Sequence, residues 1–199
     1  MKFCNQCGGT VSRRVPEGDN KERIVCTSCN HVHYVNPLIV VGCLVERDEE
    51  TLLCRRAIEP AIGKWTLPAG YLEVGETMES GARRETLEEA SAAVEIVAPH
   101  SQLELTHIGQ LHVTYRARML SNEFAPGIES LECAFFKREN IPWADMAFPA
   151  GTFALKFLLE DREKQCSALH QGQLQWDGEG SRFDPKNYTV KSHRKIPLQ

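Results

Sequence analysis

Residues 70 to 90, GYLEVGETMESGARRETLEEA, carry six glutamates, and three of them, Glu85, Glu88 and Glu89, fall within one helical turn. No other stretch restricts the fold as much, because it must form a helix that tolerates converging carboxylates. The pattern predicts a helix from Thr77 to about Ala93, with Thr77 as N-cap and Glu79 well placed in the first turn. Met78, Ala82, Thr86, Ala90 and Ala93 share one arc of it, and such small side chains let a helix lie close against a sheet. Glu85, Glu88 and Glu89 occupy the adjoining arc at i, i+3 and i+4, with Gly81 one turn earlier leaving room beside them. In full solvent each like-charge pair costs only ~0.2–0.5 kcal/mol. Carboxylates roughly 5–6 Å apart at an effective dielectric near 20 repel by about 3 kcal/mol per pair. A solvated acidic face and a cation site are both open on charge density alone.

The cysteines impose a second constraint. Cys4, Cys7, Cys26 and Cys29 form two C-x2-C pairs separated by 18 residues, a spacing expected for a four-thiolate zinc site. Gly8 and Asn30 follow the pairs and tolerate the left-handed backbone that such tight turns favour. Two disulfides or a redox pair are the alternatives. The chain begins MKFCNQC, which leaves no room for a secretory leader ahead of the cysteines, and Zn2+ is the expectation. His31 and His33 belong to the strand leaving this module, since four thiolates complete the coordination. The other thiols, Cys43, Cys54, Cys133 and Cys166, are scattered, the first three in or beside apolar stretches, as small buried hydrophobes would be.

Three regions follow from the pattern: a zinc ribbon over residues 1–33, a mixed α/β (α+β) domain over 34–165, and a polar tail over 166–199. In the middle region NPLIVVGCLVE and TLLCRRA read as strands joined by the turn RDEE, and KWTLPAG as a short strand entering a loop. VEIVA, LELTHIGQLHVTYRARML and LECAFFKR read as further strands, and residues 152 to about 164 as an amphipathic helix. From His170 onward the chain is rich in Gln and Gly and poor in apolar residues, so a tail ordered by a partner or second subunit is expected. The 199 residues carry a net charge of −4, which argues against a strongly basic nucleic-acid-binding domain. The longest apolar run, LIVVGCLV, is too short to span a bilayer, and the expected compartment is the cytoplasm.

The glutamate stretch resembles the Nudix box, GX5EX7REUXEEXGU, where U is a bulky aliphatic residue. Gly70, Glu76, Arg84, Glu85, Glu88 and Glu89 match its glycine and charged positions, and Thr86 stands at a U position. Ser91 replaces the late glycine, and Thr86 and Ala92 are smaller than usual. Over residues 34–165 the resemblance implies a Nudix α/β/α sandwich that binds Mg2+ or Mn2+ and hydrolyses a pyrophosphate. By similarity Glu85 and Glu89 are metal ligands and Glu88 a ligand or an aid to the attacking water. The backbone of Ala69 or Gly70 could add an oxygen, and Gly70, Glu76 and Arg84 brace the loop. Families within Nudix place the general base differently, and Glu129 and Glu132 are the candidates outside the box, with Glu129 preferred. Arg55, Arg56, Tyr71 and Arg116 are candidates for contact with the nucleotide substrate. Strand neighbours point to opposite faces, so only one of Arg55 and Arg56 should reach it. Trp65 fits the core better than the site.

A four-cysteine ribbon ahead of such a domain is similar to the NADH pyrophosphatases, which carry an SQPWPFPxS array after the box. This chain keeps only Ser101 and Gln102 of it. The segments CNQCGG, CTSCNHVHYVNP, RRAIEP and WTLPAGYLEVGET look closer to bacterial relatives of plant FAD pyrophosphatases. The expected substrate is therefore FAD or ADP-ribose, with NADH or a nucleoside triphosphate as alternatives. By the same resemblance a homodimer is plausible, since Nudix pyrophosphatases of this size often build sites across subunits. A zinc-ribbon regulator that binds nucleotide or nucleic acid without hydrolysis is the non-enzyme alternative, but no box carboxylate is missing.

Overall fold

The computed structural model describes residues 1–198 and divides between Pro37 and Leu38 into two compact units. In the first unit the antiparallel strands β1 (Val11–Arg14), β2 (Arg23–Cys26) and β3 (Val32–His33) form one small sheet. The four cysteines converge beside it, with ligand atoms within 4.8 Å of one another. Cys4 and Cys29 Sγ lie 3.8 Å apart and Cys7 and Cys26 Sγ 3.5 Å, close to the ~3.8 Å edge of a tetrahedron with 2.3 Å metal–sulfur bonds. Backbone N–H groups of Cys29 and Ser28 donate to Cys26 Sγ and push its thiol down to about 6, favouring the thiolate that a metal takes. The donor set fits zinc.

The second unit alternates strand and helix in a way that its hydropathy dictates. Strands β4 (Leu38–Arg47) and β5 (Glu50–Arg56) form a hairpin. The short strands β6 (Trp65–Thr66) and β7 (Ala69–Tyr71) pair with β5 and β4. Helix α1 (Met78–Ala90) is followed by β8 (Val94–Leu105), β9 (Gln110–Met119) and β10 (Ser130–Phe136). Helix α2 (Pro149–Glu163), β11 (Ala168–Trp176) and β12 (Tyr188–Pro197) complete it. The main sheet runs β10-β5-β4-β9-β8-β11-β12, parallel at β4–β9 and β8–β11 and antiparallel elsewhere along this path.

Period-2 alternation puts both faces of the central strands to use. Val41, Cys43, Val45, Leu52 and Cys54 pack with Ala82 and Ala90 of α1. Leu44 and Leu53, their neighbours on the strands, pack instead with Leu155 and Leu158 of α2. The sheet is thereby sandwiched between helices, the α/β/α arrangement that the resemblance implies. Trp65 packs on the α2 side with Phe136. No helix among the described residues is long and apolar enough to cross a membrane.

The expected polar tail is a correction. Residues 168–197 are two strands of the main sheet, and β11 runs parallel to β8 with His170 opposite Ser101 and Gln173 opposite Glu104. Its buried face is formed by Ala168, His170 and Leu174, so the alternation is present but a histidine takes one of the apolar positions. That histidine is held by Asp161 of α2, which is only 2% exposed. Asp161 accepts from His170 Nε2 at 3.1 Å and from Lys195 Nζ at 2.5 Å, while His170 Nδ1 lies 2.9 Å from His193 Nε2. Burial raises the Asp161 pKa, but these two donors outweigh it and leave the carboxyl below its ordinary value. His100, buried beside them, donates from Nε2 to the Ala154 carbonyl, and burial pushes it down to about 4, so it is neutral.

Candidate active site

Helix α1 starts where the cap chemistry dictates. Thr77 accepts from the Ser80 N–H and Ser80 returns a bond to the Thr77 N–H, a reciprocal capping box. The helix ends three residues earlier than the pattern predicts, because Ser91 turns left-handed at φ 49° and donates its N–H to the Leu87 carbonyl. A glycine is favoured at such a position, which accounts for the box residue that Ser91 replaces. Gly81 does not leave open space: a Cβ there would meet Glu76, Leu72 and Val41 within about 3 Å, so it lets the loop and β4 approach.

Arg84 organises the loop before α1. It donates to both oxygens of Glu76 at 2.7 and 3.1 Å, to the Tyr71 carbonyl at 3.1 Å, to Glu85 at 2.7 Å and to Glu88 at 3.1 Å. Its guanidinium holds Glu76 below the usual carboxylate range. Gly70 sits where any Cβ would fall 2.3 Å from the Glu85 carboxylate, so a larger residue would displace that carboxylate from its place. Burial pushes Glu85 up, against the pull of Arg84, with Glu88 and Glu129 adding to the rise. Glu89 is 6% exposed and is pushed up to about 8, first by burial and then by Glu85 and Glu129. Against this stand only the Ala69 N–H, which it accepts at 3.3 Å, and the charge of Arg56.

These groups line a cleft of about 1070 Å³. Glu85, Glu88, Glu89 and Glu129 lie in it, as do Ala69, Gly70, Tyr71, Arg84 and Arg56. Glu129 reaches it because the preceding loop docks on the carboxyl end of α1. The N–H groups of Ala125 and Gly127 donate to the carbonyls of Ala90 and Glu89 at 2.9 Å, and a Cβ on Gly127 would clash with the Glu88 carbonyl. Tyr71 is exposed at the rim and accepts from Gln110 through its hydroxyl.

Three expected residues lie elsewhere, each held by a charge that is distant in sequence. Glu132 is opposite Arg55 on adjacent strands, and the two form an exposed ion pair at 3.7 Å outside the cleft. Arg55 also donates to the Gly63 carbonyl, so of the two arginines only Arg56 lines the cleft. Arg116 makes a two-pronged pair with Glu46 at 2.6 and 3.1 Å, and Arg162 joins the same carboxylate. Arg118 likewise pairs with Glu95 across the β8–β9 ladder.

The residues that sequence reasoning missed are two phenylalanines and an arginine. Phe148 stands before α2 at φ 62° and ψ 121°, a conformation that costs a bulky side chain about 1–3 kcal/mol. The Arg56 guanidinium lies 4.9 Å from its ring centroid. Phe183 and Arg182, from the β11–β12 connection, line the cleft beside it. A lone Phe ahead of Pro149 was the available signal for Phe148, and residues assigned to a tail offered none.

The family model described as the NUDIX domain matches residues 36–153, and the one described as Nudix N-terminal matches residues 2–35. The chain belongs to the Nudix family. Its ribbon and most of its sandwich fall within those two matches. A crystal structure of a Nudix hydrolase from Nitrosomonas europaea is 49% identical, with a TM-score of 0.84 over 87% of this chain and 98% of that one. The NAD-capped RNA hydrolase NudC of Salmonella heidelberg (strain SL476) is 28% identical over 84% of this chain. NudC of Vibrio atlanticus (strain LGP32) is 30% identical over 79% of it. The matches span 62% and 56% of those two relatives' own lengths. The FAD expectation gains no support from them; the expected alternative, an NADH-type pyrophosphatase, fits them better.

Proposed function

We propose that the cleft hydrolyses the P–O–P bridge of a dinucleotide, NAD(H) foremost, with Mg2+ or Mn2+ as the catalytic ion. The observation that carries this reading is Glu89, a buried carboxylate with no cationic side chain bonded to it among the described residues, beside Glu85 and Glu129 in one cleft. Such a donor set fits a divalent cation, whose bonds to carboxylate oxygens offset the burial and the lesser repulsion that raise Glu85 and Glu89. Glu85 and Glu89 would hold the ion, with the Ala69–Gly70 backbone beside them. When bound, the ion supplies charge neutralisation at the phosphates.

The protein's own residues do the rest. Arg84 braces Glu76, Glu85 and Glu88 so that the carboxylates keep their geometry. Water forms a bond to one phosphorus while the bridging P–O bond breaks, leaving two monophosphates. Glu129 or Glu88 takes the proton that the water loses. Arg56, whose Nε donates to the Pro60 carbonyl at 2.8 Å, presents its charge to the substrate phosphates. The name NAD-capped RNA hydrolase, carried by the NudC relatives, supports an NAD pyrophosphate as the leading substrate. Ser101 and Gln102 do not serve it here: Ser101 is fully buried and Gln102 bonds Gln171 of β11.

The test is product analysis by mass spectrometry with NADH, NAD+, FAD, ADP-ribose and a nucleoside triphosphate, each with Mg2+ or Mn2+, for wild type and Glu89→Gln. Two monophosphates from NADH, formed by wild type alone, are expected. Pyrophosphate release from the triphosphate with all dinucleotides intact would overturn the reading.

A further inference from the structure

We infer that the β11–β12 connection completes the substrate cleft, and that Phe183, with Phe148 and Arg182, holds a planar base of the substrate. This rests on the dinucleotide reading above and adds the residues that recognise one of its halves. The connection lies beyond residue 153, where the NUDIX domain match ends, so the wall it builds is an addition to the matched domain.

Four groups form a continuous series along this wall. The Arg56 guanidinium faces Phe148 at 4.9 Å, Phe148 and Phe183 meet edge to face at 6.1 Å and 84°, and Arg182 lies 5.5 Å from the Phe183 centroid. The inner end of the series, Arg56, is the cation whose charge reaches Glu89. The outer end, Arg182, is exposed. A substrate whose phosphates lie against Arg56 and the carboxylates would extend its base along the rings. Both phenylalanines are only half-buried, although each is large enough to be covered fully in a core.

The wall is preorganised. The Phe148 N–H donates to the Phe183 carbonyl at 3.0 Å, which ties the connection to the start of α2. The Tyr188 hydroxyl donates to the Arg182 carbonyl at 2.9 Å, Asn187 to the Ser181 carbonyl at 2.9 Å, and Asp184 caps the turn that follows. The left-handed φ of Phe148 is kept by this frame, and it is the kind of unfavourable backbone that accompanies a binding role. Base–aromatic stacking needs only a π-face, so either half of a dinucleotide could occupy the wall.

The experiment compares wild type, Phe183→Leu and Phe183→Trp as full chains with Mg2+ present. AMP, NMN and ribose 5-phosphate are the probes, and thermal melts establish that each variant is folded. In F183W, AMP or NMN should quench indole fluorescence beyond the wild-type background, and ribose 5-phosphate should not. Which mononucleotide does so identifies the half that is held. F183L keeps the apolar bulk and loses the π-face, so its KM for the turned-over dinucleotide should rise about 5- to 100-fold with kcat within about threefold. Equal response to ribose 5-phosphate, or an unchanged KM in F183L, would overturn the inference. Base-dependent quenching without dinucleotide turnover would uphold the wall and remove the hydrolase substrate assignment instead.

Discussion

Two buried carboxylates on the two helices of the sandwich have opposite fates. Asp161 on α2 is the more deeply buried, yet its pKa lies below the ordinary value because His170 and Lys195 donate to it. Glu89 on α1 is slightly more exposed and is pushed up to about 8, chiefly by burial, because among the described residues its carboxylate accepts only one backbone N–H to offset that burial. Burial alone therefore does not decide the fate of a carboxylate. The distinction is whether the chain supplies its own cation. At Asp161 it does, and the cluster is electrostatically closed. At Glu89 the nearby Arg84 is spent on Glu76, Glu85 and Glu88.

The contrast is broken most directly at Glu89. Glu89→Gln should lower kcat by about 10³-fold or more, a loss of ~4 kcal/mol in transition-state stabilisation, with the zinc content unchanged. Full turnover in steady-state assays would mean that α1 is a surface acidic face. The same substitution sharpens the contrast through pH. The folded pKa of Glu89 lies above its ordinary value of 4.5, so the unfolded chain ionises first as pH rises. Without added divalent cation, the wild type should lose stability between about pH 4.5 and pH 8, on the order of 4 kcal/mol. Glu89→Gln should remove that fall, so urea titrations of the two should coincide near pH 4.5 and diverge toward pH 8. Asp161 has the opposite sign: its contribution is present above the ordinary carboxylate value and is lost as pH falls through the lowered one.

Asp161→Ala tests the closed cluster, since it strands His170 and Lys195. It should cost about 3 kcal/mol in denaturant unfolding while the folded fraction keeps wild-type kcat, Asp161 lying outside the cleft. A selective loss of kcat would show that the cluster communicates with the site. The smallest effect separates two glutamates three residues apart. Glu129→Gln should lower kcat by about 10- to 100-fold, and Glu132→Gln, whose partner is Arg55 outside the cleft, should leave it within twofold. Equal effects in initial-rate measurements would remove Glu129 from the chemistry.

What the sequence made legible was local. Thr77, the small arc of α1 and the i, i+3, i+4 glutamates all interact within a few residues, and periodicity carries such information. The alternation in β4 and β5 likewise declared two buried faces. What it hid were pairings across distance. Arg116 looks like a free cation two residues from another, and only the parallel β4–β9 alignment brings Glu46, 70 residues away, to it. Strand β11 looks polar because one buried position is His170, acceptable in the core only through Asp161. Mistaking that strand for a tail concealed Arg182 and Phe183 as well, although they line the same cleft as the carboxylates that the sequence announced.

Strand β12 ends the main sheet, and its exposed positions include Lys191 and Arg194. A terminal strand presents unpaired backbone groups that could template addition of a second copy, edge against edge. Two copies brought together there would set lysine and arginine against one another along the new seam. The protein should accordingly resist pairing through this edge at low ionic strength and lose part of that protection as salt screens the repulsion.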